Sequence, residues 1–260
     1  MFQKIFRKSK IHLHFLLESF IMGLRMQNRL ILFDLDDTLV NFLEYYQIAF
    51  TEAFKEVYGI QSDLKEIDFA GKTIPNIIRE MGELKGIDKN TLENDLEIAL
   101  DAISNIFFKS ISNSNEIKIR NILPGAREIL EKLSSLDYPI GLLTGSTGKI
   151  ARKILEVTDL KKYFDILTFG EEADDREGLF NLSLERAEKK FNIKFRGSEI
   201  VMIGDSIRDV DCGKKFSAIT IAVTTGHHSY EKLKRLKPDY ILDDLGEIER
   251  VIKAINQKKF

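Results

Sequence analysis

Past residue 28 the chain alternates short apolar runs with amphipathic stretches, and the leading apolar runs stop at a polar residue. Leu30-Ile31-Leu32-Phe33 ends in Asp34, Pro139-Ile140-Gly141-Leu142-Leu143 in Thr144, and Glu199-Ile200-Val201-Met202-Ile203 in Gly204-Asp205. Ala218–Val223, Tyr240–Leu242 and Phe164–Thr168 complete the series. Runs that stay apolar, instead of alternating with polar residues, predict strands buried on both faces, as in a parallel sheet. Helical periodicity lies between them, at Ala126–Leu136, Leu184–Phe191 and Leu245–Ile255. The order of elements predicts an α/β fold: a Rossmann-like parallel sheet with helices on both faces.

One stretch breaks the alternation. From Glu44 to Ile119 no strand is convincing, and the patterns at Tyr45–Val57, Pro75–Met81 and Thr91–Ile111 read as helix. The expected layout is a core of residues 29–43 and 120–260, with an all-helical insert at 44–119. The turn signal Leu123-Pro124-Gly125 marks the return to the core. Residues 1–28 form an extension, basic in MFQKIFRKSK and largely apolar in IHLHFLLESFIMGL. His12, His14 and Glu18 interrupt the apolar run, no small-residue cleavage site follows, and the run is too short and polar to span a bilayer. An amphipathic helix and a targeting segment are weighed against a mobile extension. The last is favoured, since Met22 and Met26 directly precede the first strand.

Composition narrows the class. Lys+Arg 39 against Asp+Glu 41 leaves a net charge of −2, which argues against a nucleic-acid or polyanion binder. A hydrophobic fraction of 43% excludes a disordered chain. The single cysteine, Cys212, excludes an internal disulfide and a cysteine-based zinc site, reads as a buried small hydrophobe and fits a reducing cytoplasm. A small-molecule substrate, no nucleic acid, no stable membrane insertion and a monomer or homodimer are expected.

In an open parallel sheet, ligands bind beyond the carboxyl ends of the strands. Three strand ends would bring Asp34-Leu35-Asp36-Asp37-Thr38, Thr144-Gly145-Ser146 and Gly204-Asp205-Ser206 to one rim, with Asp209 following. Asp34 and Asp205 at close range cannot both stay ionised without a counter-ion. A hard divalent cation such as Mg2+, which takes carboxylate, water and phosphate oxygens, resolves the conflict. A carboxylate at such a centre can also attack phosphorus and form an aspartyl-phosphate. Helix capping accounts for Thr38 or Asp209 taken singly, but not for Asp34, Asp36 and Asp205 together.

The ordered set FDLDDTL, LLTGS and IGDSIRDVD resembles the haloacid dehalogenase superfamily of aspartate-nucleophile phosphohydrolases, from about residue 29 onward and with a helical cap after the first motif. The resemblance implies Asp34 as nucleophile and Asp36 as general acid/base. It implies phosphoryl binding by Thr144 and Gly145, and magnesium held by Asp34, Asp205 and the backbone carbonyl of Asp36, with Asp209 in support. The family's third motif is a basic residue, usually lysine. Arg176 in Asp174-Asp175-Arg176-Glu177-Gly178 fits it, and an arginine can grip phosphate with two hydrogen bonds. Lys149 and Lys153 are the rivals. Gly71-Lys72-Thr73 in the insert resembles a cap loop of the phosphoglycolate-phosphatase-like branch. Lys72 as a substrate contact is set against Thr73 as a plain helix cap. His227-His228, after Gly226, reads as a solvated loop more readily than as part of the rim.

An acid two residues after the nucleophile suits phosphate-ester hydrolysis of a small phosphorylated metabolite. The alternatives are a phosphomutase of the same superfamily and a catalytically silent interaction protein. A receiver domain would be about half this length, with its phosphorylated aspartate on a middle strand and no helical insert.

Overall fold

The computed structural model describes residues 29–112 and 121–257. The amino-terminal extension expected at 1–28 lies outside them. Six strands form one parallel sheet: β1 (Leu30–Phe33), β2 (Ile140–Leu143), β3 (Ile166–Thr168), β4 (Ile200–Gly204), β5 (Ile219–Val223) and β6 (Tyr240–Leu242). Their order is β3-β2-β1-β4-β5-β6. The chain therefore builds outward from β1 on one side, then returns to start again on the other. That reversal opens a crevice at the carboxyl ends of β1 and β4. Phe33 is paired in register with both Leu142 and Ile203, and the Asp34 amide donates to the Ile203 carbonyl at 2.9 Å.

Each sequence-predicted strand forms, with ends shifted by a residue or two. The apolar runs are continuous because successive side chains enter different cores. Ile31 and Phe33 of β1 face one, and Leu30 and Leu32 the other. Over the first face lie α5 (Ala126–Ser135), α6 (Gly148–Val157) and α10 (Ile248–Asn256), through Ile129, Leu133, Ile154 and Val251. Over the second lie α7 (Arg176–Phe191) and α8 (Ile207–Lys215), through Leu179, Phe180 and Cys212. The short α9 (Tyr230–Arg235) covers the edge near β6. Helix α7 starts two turns before the periodicity at Leu184, because the Asp175 carboxylate caps it by accepting from the Gly178 amide at 2.8 Å.

The strandless stretch contains α1 (Leu43–Tyr58), α2 (Ile74–Leu84), α3 (Lys89–Asn94) and α4 (Leu96–Ser112). The single helix expected over Thr91–Ile111 is two. It breaks at Asp95, whose amide closes α3 on Thr91 while its carbonyl accepts from Ala99 in α4. The adjoining Asn94 and Asp95 carry short polar side chains that compete for backbone groups and weaken a helix interior. Helices α1 and α4 meet through aromatic rings, with Phe107 centred 4.8 Å from Tyr46 and 6.1 Å from Phe42. This apolar layer is continuous with the core on the first face of the sheet.

Phe107 is fully buried between the two helices. Phe107→Ala should cost about 3–5 kcal/mol and lower the melting temperature by about 10 °C. A melting temperature within about 2 °C of the parent would show that this ring cluster does not hold the insert together.

Candidate active site

The first strand end forms a tight flap. Asp37 adopts a left-handed conformation (φ 59°), its amide donates to the Val40 carbonyl at 2.7 Å, and the turn holds Asp34 and Asp36 toward the crevice. Asp34 is buried, and Arg176 Nη2 donates to its Oδ1 at 2.6 Å. The same nitrogen donates to Asp209 Oδ1. The other Asp209 oxygen, Oδ2, accepts from the Ser206 amide at 3.1 Å and the Ser206 hydroxyl at 2.6 Å. Asp205 Oδ1 accepts from Thr38 Oγ1 at 3.3 Å. Thr38 therefore supports an acid and does not cap a helix, whereas Asp209 both faces Arg176 and completes the capping box of α8.

One oxygen each from Asp34, Asp205 and Asp209 lie within 4.8 Å of one another. Three buried carboxylates with one guanidinium, which pairs with Asp34 and Asp209 and leaves Asp205 to Thr38, are under-neutralised, which is the donor set of a hard cation site. Asp36 faces the same pocket, and its Oδ1 is buried with no partner among the described residues. These atoms fit a divalent metal.

Burial pushes the Asp34 carboxyl up to about 7, against the pull of Arg176. It pushes Asp36 up to about 7 as well, against a hydrogen bond from Ser146. Asp37 rises to about 6 through burial and the charge of Asp34. Asp205 moves well above the usual carboxylate range through burial, then through the charges of Asp34 and Asp209.

Two partners of Asp36 escaped the reading of motifs. Ser146 Oγ donates to Asp36 Oδ2 at 2.7 Å, and Tyr46 Oη of α1 donates to the same oxygen at 3.3 Å while lying 2.6 Å from Ser146 Oγ. Ser146 stands in the quoted LLTGS segment, so its position was legible although its role was not. Nothing local marks Tyr46; only the packing of α1 brings it to the site. Thr144 is buried at the end of β2, and its Oγ1 accepts from the Ser146 amide at 3.0 Å. Gly145 is fixed by close approach. A Cβ there would lie 2.1 Å from the Lys72 carbonyl oxygen, while the Gly145 carbonyl accepts from the Ile74 amide at 2.8 Å.

Of the three candidate cations, only Arg176 reaches the carboxylates. Lys149 pairs with Asp101 on α4, and Lys153 pairs with Glu156 at 3.3 Å, both on the outside of α6. Lys72 borders the pocket, but its ammonium is paired with Glu80, and Thr73 caps α2 by accepting from the Asn76 amide at 3.4 Å. Cys212 is buried as expected, and burial pushes its thiol up to about 12.

His228 corrects the expectation of a solvated loop. It is buried, with Nδ1 accepting from the Ile207 amide at 3.1 Å and Nε2 3.0 Å from Asp68 Oδ1. Its neighbour His227 is exposed and lies with its ring 5.1 Å from that of Phe69. Asp68 also meets Lys232 at 3.2 Å and Arg208 at 3.7 Å, which holds its carboxyl down at about 2 despite partial burial. This cluster ties the helical insert to the loops after β4 and β5. Beside it, a Cβ at Gly226 would fall 1.8 Å from Asp205 Oδ2, so only glycine lets that loop close over the acid.

Comparison with known proteins agrees with this arrangement. Residues 31–223 match the haloacid dehalogenase-like hydrolase family. Phosphoglycolate phosphatase from Vibrio parahaemolyticus is 26% identical over 227 residues, covering 86% of this chain and 96% of that enzyme. Pyrophosphatase PpaX from Listeria monocytogenes is 22% identical over 232 residues, covering 86% and 95%. Among solved structures, β-phosphoglucomutase from Clostridium difficile superposes with a TM-score of 0.70 at 21% identity, covering 89% of this chain and 98% of that one. No helix among the described residues is long and apolar enough to cross a membrane. With its motifs assembled on one rim of a Rossmann-like sheet, the chain belongs to the haloacid dehalogenase-like hydrolases and is an enzyme of the phosphatase kind within them.

Proposed function

We propose that this chain is a magnesium-dependent phosphatase that hydrolyses a small phosphorylated metabolite through an aspartyl-phosphate on Asp34. The observation that carries the reading is Arg176. Its side chain is only 7% exposed, one nitrogen is held by Asp34 and Asp209, and Nε and Nη1 are buried with no acceptor among the described residues. A buried guanidinium with spare donors beside a carboxylate suits the equatorial oxygens of a phosphoryl group. The insert at 44–119 acts as the cap, with Tyr46 and the 69–72 loop, Lys72 included, facing the rim.

In the first step an Asp34 oxygen attacks phosphorus, and the bond to the leaving oxygen breaks. Asp36, which burial holds protonated up to about neutral pH, gives its proton to that oxygen, and the alcohol departs. Asp36 then takes a proton from water as the water oxygen attacks the same phosphorus. Phosphate leaves and Asp34 returns to carboxylate. Ser146 and Tyr46 hold Asp36 in place for both transfers. Thr144 and Gly145 bind the phosphoryl oxygens, and Arg176 offsets their charge. Magnesium would sit among Asp34, Asp205 and the Asp36 carbonyl, with Asp209 in support, and supply charge neutralisation and orientation of the phosphate. A phosphomutase is the second reading, because the chain superposes over 89% of its length on a protein named β-phosphoglucomutase.

Asp34→Asn should remove turnover while leaving the circular dichroism spectrum and melting temperature intact. Activity within about tenfold of the parent, in protein shown by mass spectrometry to be free of deamidation, would end the covalent mechanism. Arg176→Ala should lower kcat/KM by on the order of a thousandfold. Arg176→Lys should recover part of the loss, since an ammonium lacks the fork.

The carboxylates also set a pH dependence. Asp34, Asp36 and Asp37 hold protons more tightly folded than unfolded, so the native state binds more protons between about pH 4 and 7 and stability falls as pH rises through that window. Metal-free protein should melt at a lower temperature at about pH 8 than at about pH 5, and millimolar magnesium should restore the difference. A melting temperature that rises with pH, or that ignores magnesium at the higher pH, would contradict a cation site built on these acids.

A further inference from the structure

We infer that the leaving group this site accepts is an uncharged, largely apolar short alcohol, so that the substrate class is the monophosphate of such an alcohol. The inference rests on the phosphatase reading above and concerns the half of the pocket that the catalytic rim does not occupy.

The pocket over Asp34 and Asp36 has a volume of about 70 Å³, room for only a handful of water-sized groups. Its polar lining belongs to the rim: Asp34, Asp36, Asp37, Asp205, Thr144 and Ser146, with Tyr46 already committed to Asp36 and Ser146. The remaining wall is apolar. Phe50, Leu64, Phe69, Ile74 and Ile77 of the helical insert supply it, with Phe42 just before the insert. Each of them is at most 9% exposed, so a group seated against them leaves water.

Charge is decisive. Among the described residues lining the pocket, Lys72 is the sole cation, and its ammonium is paired with Glu80. Its side chain is 17% exposed and that of Glu80 44%, so the ammonium is mostly withdrawn from water and already neutralised. Arg176 is fixed against Asp34 and Asp209 and serves the phosphoryl group. A substrate carrying a second anion, as phosphoglycolate and pyrophosphate do, would place that anion against aromatic and aliphatic side chains with no cation free to meet it. Burying an unpaired carboxylate is strongly unfavourable, whereas each methylene laid on such a wall is worth about fourfold in binding. The wall therefore selects against charge and for hydrocarbon.

The test is a steady-state series on the full chain with magnesium: n-butyl phosphate, glycerol phosphate, 2-phosphoglycolate and pyrophosphate. Acetyl phosphate reports on the chemistry alone, because its leaving group is activated, and Asp34→Asn sets the background. We expect kcat/KM for n-butyl phosphate to exceed that for 2-phosphoglycolate and for pyrophosphate by on the order of a hundredfold, with glycerol phosphate between them. An advantage under about tenfold, or a reversed order, overturns the inference and leaves the phosphatase reading standing, provided acetyl phosphate is still hydrolysed above background. If 2-phosphoglycolate is preferred and Lys72→Ala removes that preference, Lys72 exchanges Glu80 for the substrate carboxylate, and the inference is likewise overturned. If acetyl phosphate and all four test compounds give only the Asp34→Asn background, the phosphatase reading and the inference fail together.

Discussion

The structure turns on one electrostatic constraint: Asp34, Asp205 and Asp209 are buried beside a single guanidinium, with the half-buried Asp36 on the same rim. Carboxylates removed from water must be neutralised, hydrogen-bonded or protonated. Arg176 bridges Asp34 and Asp209, Ser206 takes the other side of Asp209, Thr38 meets Asp205, and Ser146 with Tyr46 meets Asp36. These contacts leave the cluster short of positive charge. That deficit suits the cluster to a cation, and burial pushes the Asp36 carboxyl up to about 7.

The sheet exists to make that cluster possible. Strands β1, β2 and β4 are adjacent and parallel, so the ends of all three reach the same rim without a long loop. Their interiors are apolar on both faces, and helices on each side keep water from the strand backbone. The chain reversal beside β1 leaves the crevice in which the acids stand. Backbone proximity completes it, since Gly145 lets the insert's Lys72 carbonyl pass directly against the loop after β2.

The helical insert contributes contacts to the site and, in the proposed reading, its selectivity. Tyr46 reaches from α1 to the acid at Asp36, and the Asp68 cluster with His228, Lys232 and Arg208 fastens the insert to the far side of the rim. Between these two attachments lies an apolar wall. In the proposed reading the polar residues of the core carry the phosphorus chemistry, while the insert presents the apolar surface against which a leaving group would rest.

The sequence offered Arg176 beside Lys149 and Lys153, and the fold decided among the three. By itself it determined the sheet, the helical insert and the convergence of Asp34, Asp36, Thr144 and Asp205. These were legible because buried parallel strands need unbroken apolar runs and because the polar residue ending each run must lie on the ligand-binding edge. Tertiary structure decided the rest. The break at Asp95, the burial of His228, the reach of Tyr46 to Asp36 and the pairing of Lys72 with Glu80 each join groups whose meeting depends on how the insert packs against the sheet. A local pattern records which face of a helix is apolar; it does not record which distant residue that face will meet, because that is fixed by the packing of whole elements against one another.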